Sequence, residues 1–325
     1  GGERPAITDA DVMLGKIDPE NFAGGAIRLD AAASETAILR DVGARLNLTA
    51  LDAAFGIAEV VDENMANAAR VHAVENGKVI SENVMIAFGG AAPLHAARLC
   101  EKLGVERCLI PEGAGVGSAI GFLRAPFGYE ALASKIVRLS AFDEAAVNAM
   151  LAELKATAEG FVREGAAGPI RREITAFMRY AGQGWEIPVA LEDRPFGAGD
   201  VEALRAAFQA AYARFFGRAI DGLGQLEVEV VTWSVRVEEE RPAPDRHAIT
   251  LEGAAVSGPA RAVFDPATGR HLPTAIVERG ALAPGARVQG PAIIVERETS
   301  TVVTSPFDAV KQSDGSLLLI RKAAG

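Results

Sequence analysis

Cysteine is nearly absent from this chain: Cys100 and Cys108 are the only two among 325 residues. That is too few for a disulfide framework or a four-cysteine zinc site, and both read as reduced core residues. Histidine is as thin, and His72, His247 and His271 are too scattered in sequence to support a metal centre. Positive charge is in deficit, with 33 basic against 43 acidic side chains and a formal charge of −10. A phosphate backbone is repelled by such a balance, which argues against a nucleic acid partner. Apolar runs stop short of the roughly 18 residues of a membrane span, and the N-terminus lacks a basic-then-apolar leader. A cytoplasmic setting without membrane attachment is the expectation. An initiating methionine is missing too: the chain starts Gly1-Gly2-Glu3-Arg4-Pro5, as expected of a fragment or of a split subunit.

What remains is the composition of a folding protein, 49% hydrophobic and 23% charged, which excludes disorder and low complexity. Domains of about 100 to 200 residues make two or three the expected number. Asp11 to Asp30 is broken by Asp18-Pro19 and Gly24-Gly25 and reads as a structured connection. Residues 33 to 46 are amphipathic. A longer helix follows with its apolar stripe at Leu51, Ala54, Phe55, Ala58, Val61, Met65, Ala68, Ala69 and His72, capped by Thr49 and stopped near Gly77. Asn83 to Phe88 reads as a strand buried on both faces, Pro93 opens a helix ending near Gly104, and Cys108-Leu109-Ile110 is the next strand. Strand, helix and strand at this spacing predict a βαβ unit with parallel strands. Beyond Pro126, helices at 143 to 165 and 200 to 216 and strands at 173 to 180, 185 to 191 and 226 to 237 predict an α+β domain. Residues 241 to 260 read as a linker. Short apolar runs divided by turns, at 274 to 277, 291 to 295, 301 to 303 and 317 to 320, predict a β-rich terminal module. The expected boundaries are 1–127, 128–242 and 243–325.

Two glycine-rich turns carry the candidate chemistry. In Phe88-Gly89-Gly90-Ala91-Ala92-Pro93-Leu94-His95, a strand runs into a small-residue bend and then a helix start. Without a Cβ in the way, ligand and backbone can approach closely, and the N–H groups of the helix start favour a polar or anionic group. A nucleotide site and a plain packing turn both fit that pattern. The second turn, Gly113-Ala114-Gly115-Val116-Gly117-Ser118-Ala119-Ile120-Gly121, fails the dinucleotide fingerprint, because Ser118 or Ile120 stands where its last glycine belongs. Asp9 is either a helix cap or a residue facing a cleft. His95 is either a ligand contact or a packed histidine. Asp221-Gly222-Leu223-Gly224 reads as a surface loop.

Taken in order, Thr8-Asp9-Ala10, Leu14-Gly15-Lys16-Ile17-Asp18-Pro19, Asn64-Met65-Ala66, the Phe88 to His95 bend and Pro111 to Gly121 resemble the hydantoinase A/5-oxoprolinase family. Arg179-Tyr180-Ala181-Gly182-Gln183, Gly290 to Ile294 and Thr299-Ser300-Thr301 resemble that family's C-terminal domain. Arg279 lies in the same region, and with Arg179 and Gln183 it is assigned to either subunit or substrate contact. The resemblance spans nearly the whole chain.

This resemblance implies an α/β actin-like ATPase fold, of which residues 1–127 would be the second-lobe portion, followed by an α+β C-terminal domain with a β-rich end. It implies ATP as cofactor, with Gly89, Gly90, Ala91, Ala92 and His95 on the adenosine side. Ala92 stands where the family often has glycine. The two Asp-x-Gly-Gly-Thr hairpins that hold phosphates and Mg²⁺ in such folds are missing from this sequence, so the catalytic residues are unassigned, with Asp9 the one candidate, and the metal would be held mainly from outside the chain. The implied reaction is ATP-dependent opening of a cyclic amide. The implied partners are the N-terminal part of the ATP-using hydantoinase polypeptide, either as an upstream segment or as a separate chain, together with a hydantoinase B-type subunit. The alternatives are an acetone- or acetophenone-type ketone carboxylase subunit or a non-catalytic assembly subunit.

Overall fold

In the computed structural model, residues 2–197, 199–217, 226–243 and 245–323 are described. The chain divides into two compact units, Gly1–Arg124 with Asp245–Gly325, and Ala125–Pro244. Its elements run in chain order as α1 (Ile7–Met13), α2 (Ala31–Ile38), a π-helical turn (Leu39–Gly43), α3 (Ala44–Leu46), α4 (Ala50–Glu75), β1 (Met85–Ile86), α5 (Ala92–Leu103), β2 (Arg107–Ile110) and α6 (Gly117–Arg124). The second unit holds β3 (Gly128–Arg138), α7 (Glu144–Gly165), β4 (Ile170–Tyr180), β5 (Ile187–Leu191), α8 (Asp200–Phe216) and β6 (Val228–Glu239). The first unit then resumes with β7 (Ala255–Val256), β8 (Ala260–Asp265), β9 (Arg270–Glu278), β10 (Arg287–Gln289), β11 (Ala292–Val295), β12 (Ser300–Val303), β13 (Phe307–Lys311) and β14 (Leu317–Arg321).

The residues expected as a separate terminal module share a sheet with the βαβ segment. Leu317 to Ile320 of β14 pair antiparallel with Arg107 to Ile110 of β2, in the order β1-β2-β14-β13-β10-β7. Cys108-Leu109-Ile110 of β2 and Leu317 to Ile320 of β14 are continuous apolar runs that need cover, and each strand supplies the other with ladder hydrogen bonds. Cys108, Ile110, Leu317 and Leu319 are fully buried in one cluster with Ala96, Ala97 and Cys100 of α5. Both cysteines are free and buried. A second sheet of the same unit has the order β12-β11-β9-β8.

The parallel pairing of β1 with β2, Met85 with Cys108 and Ile86 with Leu109, is the βαβ unit that the spacing predicts. Its first strand is shorter and barer than expected. Ala87 is buried while Val84, Ile86 and Phe88 are exposed, because β1 forms the edge of its sheet and only one face of it meets the core. Helix α4 starts where Thr49 Oγ1 accepts the Asp52 N–H at 3.1 Å. Its buried residues are Ala50, Ala53, Ala54, Ala58, Asp62 and Ala66, so Ala54 and Ala58 of the expected stripe are buried, Met65 and His72 are exposed, and an aspartate sits within the buried line. The small side chains let α1 and α5 approach closely, which is where Asp62 finds its partner.

The Ala125–Pro244 unit is a four-stranded antiparallel sheet in the order β3-β6-β4-β5, carrying α7 and α8. Trp233, Phe208, Met178, Val228 and Val230 are fully buried in its core. Trp233 donates its indole N–H to the Lys135 carbonyl at 3.2 Å, satisfying the one polar atom such a residue brings inside. Asp221-Gly222-Leu223-Gly224 lies outside the described residues.

Candidate functional site

The bend after β1 is held open by backbone alone. Gly89 has φ +108, a conformation that side-chain-bearing residues rarely adopt, and among the described residues no atom lies within 4 Å of where its Cβ would stand. Its N–H donates to the Ala114 carbonyl at 2.7 Å, which fixes the bend against the second glycine turn. Gly90 and Ala91 border the bend's open side, Ala92 begins α5, and no side chain among the described residues caps that helix start.

Close approach on the neighbouring side accounts for the second glycine turn. A Cβ on Gly115 would lie 2.5 Å from the Glu298 Cβ and 2.9 Å from its carbonyl, so only glycine admits the turn between β11 and β12 at this place. Thr299 Oγ1 then donates to the Gly90 carbonyl at 2.8 Å. Bend, glycine turn and hairpin turn are thereby joined along one edge of a cavity of about 770 Å³. Gly90, Ala91, Gly115 and Val116 line it beside Glu296 to Ser300, with Asp11, Ile17, Phe22, Leu94 and Ile276 also on its walls.

Glu296 is firmly anchored in that lining. Its Oε1 accepts from Arg279 Nη1 at 2.7 Å. Arg279, 4% exposed, is itself fixed by donating Nη2 to the carbonyls of Ile110, Pro111 and Gly315. Burial pushes the Glu296 carboxyl above the ordinary carboxylate range against the pull of Arg279, and Glu298 pushes the same way.

Under the bend lies a buried charge cluster. His95 is 3% exposed, with Nε2 3.3 Å from Asp11 Oδ2 and Nδ1 2.8 Å from Asp62 Oδ1. Lys16 Nζ reaches Asp11 Oδ1 at 2.9 Å. Burial alone would push the imidazole down, but the two carboxylates win and hold it up at about 9, with Lys16 opposing. Asp11 is held below the ordinary carboxylate range; burial works against this, and His95 and Lys16 overcome it. The cluster thus sets two basic side chains, Lys16 and His95, against two acidic ones, Asp11 and Asp62, the pairing that buried charged groups require.

The highlighted residues thus fall into separate places. Gly90 and Ala91 border the cavity, Gly89 shapes the bend, Ala92 starts the helix, and His95 sits beneath, in contact with Asp11 rather than facing open space. Asp9 is a helix cap: its Oδ2 accepts the Ala6 N–H at 2.7 Å and its Oδ1 accepts the Ser34 hydroxyl at 2.6 Å. The aspartates bordering the cavity are Asp11 and Asp18. Arg179 pairs with Glu229 and Gln183 donates to the Tyr212 hydroxyl, both inside the second unit, and Arg279 is a buried clamp. Glu296 and Asp62 carried no signal in the sequence, since neither spacing nor composition marks a carboxylate that long-range folding buries.

Among the described residues no group of three or more His, Cys, Asp or Glu is placed to hold a metal ion. No helix among them is long and apolar enough to cross a membrane.

The hydantoinase/oxoprolinase family model matches residues 1–131, and the model of its C-terminal domain matches residues 139–319. The chain belongs to the hydantoinase/oxoprolinase family. It is 28% identical to the acetone carboxylase beta subunit of Xanthobacter autotrophicus over 95% of this chain and 45% of that protein. The nucleotide-free structure of acetone carboxylase, an enzyme of ATP-dependent acetone carboxylation, superposes with a TM-score of 0.77 and 25% identity, over 99% of this chain and 47% of the other. The crystal structure of the ATP-dependent caprolactamase from Pseudomonas jessenii gives 0.76 and 26%, over 99% and 47%. The chain spans about half the length of the relatives it matches.

Proposed function

We propose that this chain supplies the adenosine-side part of an ATP-dependent enzyme that opens a cyclic amide, residues 1–127 belonging to the second lobe of an actin-like ATPase fold. The observation that carries this reading is the bare Gly89-Gly90 bend, open at Gly89 and bordering a cavity large enough for a nucleoside. Similarity to a caprolactamase, which acts on a cyclic amide, supports the hydrolase assignment. When bound, ATP would transfer a phosphoryl group to the amide oxygen, leaving ADP, and so activate the carbonyl carbon for attack by water, cleavage of the C–N bond and release of phosphate. Gly90 and Ala91 would rest against the nucleoside, Gly89 would hold the bend open, and His95 would act through Asp11 on the cavity wall. Among the described residues no group of three or more metal-ligating side chains is assembled, and no role in holding Mg²⁺ is assigned to them. Partner segments, the N-terminal part of the ATP-using polypeptide together with a B-type subunit, would bring the phosphate-binding residues; the relatives' greater length and their description as subunits support this.

Titration calorimetry with ADP tests the reading. Wild type is expected to bind weakly and to hydrolyse no ATP on its own, and Gly90→Val is expected to lose binding. A Cβ at Gly90 meets only the Glu298 carbonyl at 3.7 Å, so the fold tolerates the substitution while the extra methyls fill the bend. Absence of ADP binding to wild type would favour a non-catalytic assembly role, and robust ATP turnover by the chain alone would refute the division of labour. A ketone carboxylase is the second reading, favoured by the equally close likeness to acetone carboxylase. Bicarbonate-dependent ATP consumption by the assembled complex would select it.

A further inference from the structure

Carboxylates outnumber guanidiniums around the cavity: Asp11, Asp18, Glu278, Glu296 and Glu298 line it against Arg261 and Arg297. Arg261 Nη1 lies 3.4 Å from Asp18 Oδ2, and Arg297 Nε lies 3.8 Å from Glu298 Oε1. Asp11 is neutralised by Lys16 and His95. Glu278 adds a further carboxylate to the wall. Against this stands the start of α5, worth about half a positive charge. A polyphosphate carrying several negative charges meets a lining in which carboxylates outnumber guanidiniums, so its own charge is repelled more than it is matched.

A ligand part rich in hydrogen-bond donors does fit. Arg279 takes Oε1 of Glu296, and among the described residues no donor takes Oε2. Three carbonyls hold Arg279 in place, so the carboxylate it orients is fixed before any ligand arrives. Ile17, Phe22, Leu94 and Ile276 on the same lining supply apolar surface on which a flat ring can pack.

We propose that Glu296 determines what this cavity accepts, taking hydrogen bonds from the hydroxyl or amino donors of a nucleoside, and that the phosphates of a bound nucleotide stay outside it. This rests on the nucleotide reading above and assigns the ligand's orientation and the residue that sets it.

Calorimetry on the full chain with adenosine, ADP and inorganic pyrophosphate tests it. Adenosine and ADP should bind within about threefold of one another, and pyrophosphate should neither bind nor compete. Glu296→Gln keeps the size and a contact to Arg279 but loses the charged acceptor, and should weaken adenosine and ADP by the same factor, about tenfold. Its far-UV circular dichroism and melting temperature, compared with wild type, separate a lost ligand contact from a damaged fold, and Glu296→Asp should recover part of the affinity. ADP binding without adenosine binding, or unchanged adenosine affinity in Glu296→Gln, would overturn the proposal while leaving the nucleotide reading intact. If wild type binds neither compound, the nucleotide reading falls, and this inference with it.

Discussion

Alkaline titration of His95 should remove a large share of the first unit's stability. Its imidazole is held up at about 9 from an ordinary 6.5 by Asp11 and Asp62, in spite of burial. The folded state thus binds a proton that the unfolded chain releases, so the contribution is present in full below pH 6.5. It declines as pH rises from 6.5 towards 9 and is gone above that. A shift of this size corresponds to on the order of 3 kcal/mol, a considerable fraction of the roughly 5 to 15 kcal/mol typical of a folded domain. The physical source is charge balance: once His95 is neutral, Asp62 loses the cation paired with it and Asp11 retains Lys16. Urea unfolding followed by circular dichroism between pH 6 and 10 measures the loss, and an NMR titration of the four histidine rings gives the ionisation directly. In His95→Gln the slope across this window should disappear and stability at pH 6.5 should fall to about the alkaline value of the wild type. A wild-type midpoint that stays flat from pH 6 to 9.5, or an His95 ring titrating near 6.5, would refute the reasoning.

Removing the other side of the cluster has the same origin: Asp62→Ala should destabilise by about 3 to 5 kcal/mol, as measured by denaturant midpoint, because a buried cation is left half-paired. Gly115→Ala drives a Cβ into the Glu298 backbone and should cost about 1 to 3 kcal/mol, read as a fall in melting temperature. Thr299→Val breaks the bond to the Gly90 carbonyl and should lower stability by about 1 kcal/mol, with faster amide exchange in the 88–91 bend. Arg279→Met strands the carbonyls of Ile110, Pro111 and Gly315 and frees Glu296, so a larger loss than that of Thr299→Val is expected in the same melting experiment.

Local chemistry explains which parts of this molecule were legible in the sequence. Thr49 and Gly77 bracket α4 because capping and a positive φ, +62 at Gly77, are properties of single residues and their near neighbours. The 83–110 stretch announces β1, α5 and a parallel β2 because a short helix between two apolar runs leaves no other connection. The Gly89-Gly90 bend shows itself as an opening in the chain for the same reason. Family membership, too, was carried by residues in linear order.

Tertiary structure decided everything that depends on distant segments meeting. Residues 243–325 read as an independent β module because their runs are short and evenly divided, yet β14 closes on β2 since both strands have apolar faces that neither covers alone. Periodicity found Ala54 and Ala58 of the buried α4 line but not Asp62, because a buried aspartate is compatible with that face only once His95 arrives from α5. Asp9 and Asp11 are two residues apart and chemically alike. One caps a helix and the other borders the cavity, a difference set by which way each points when α1 packs, and this direction is fixed by contacts with residues far along the chain.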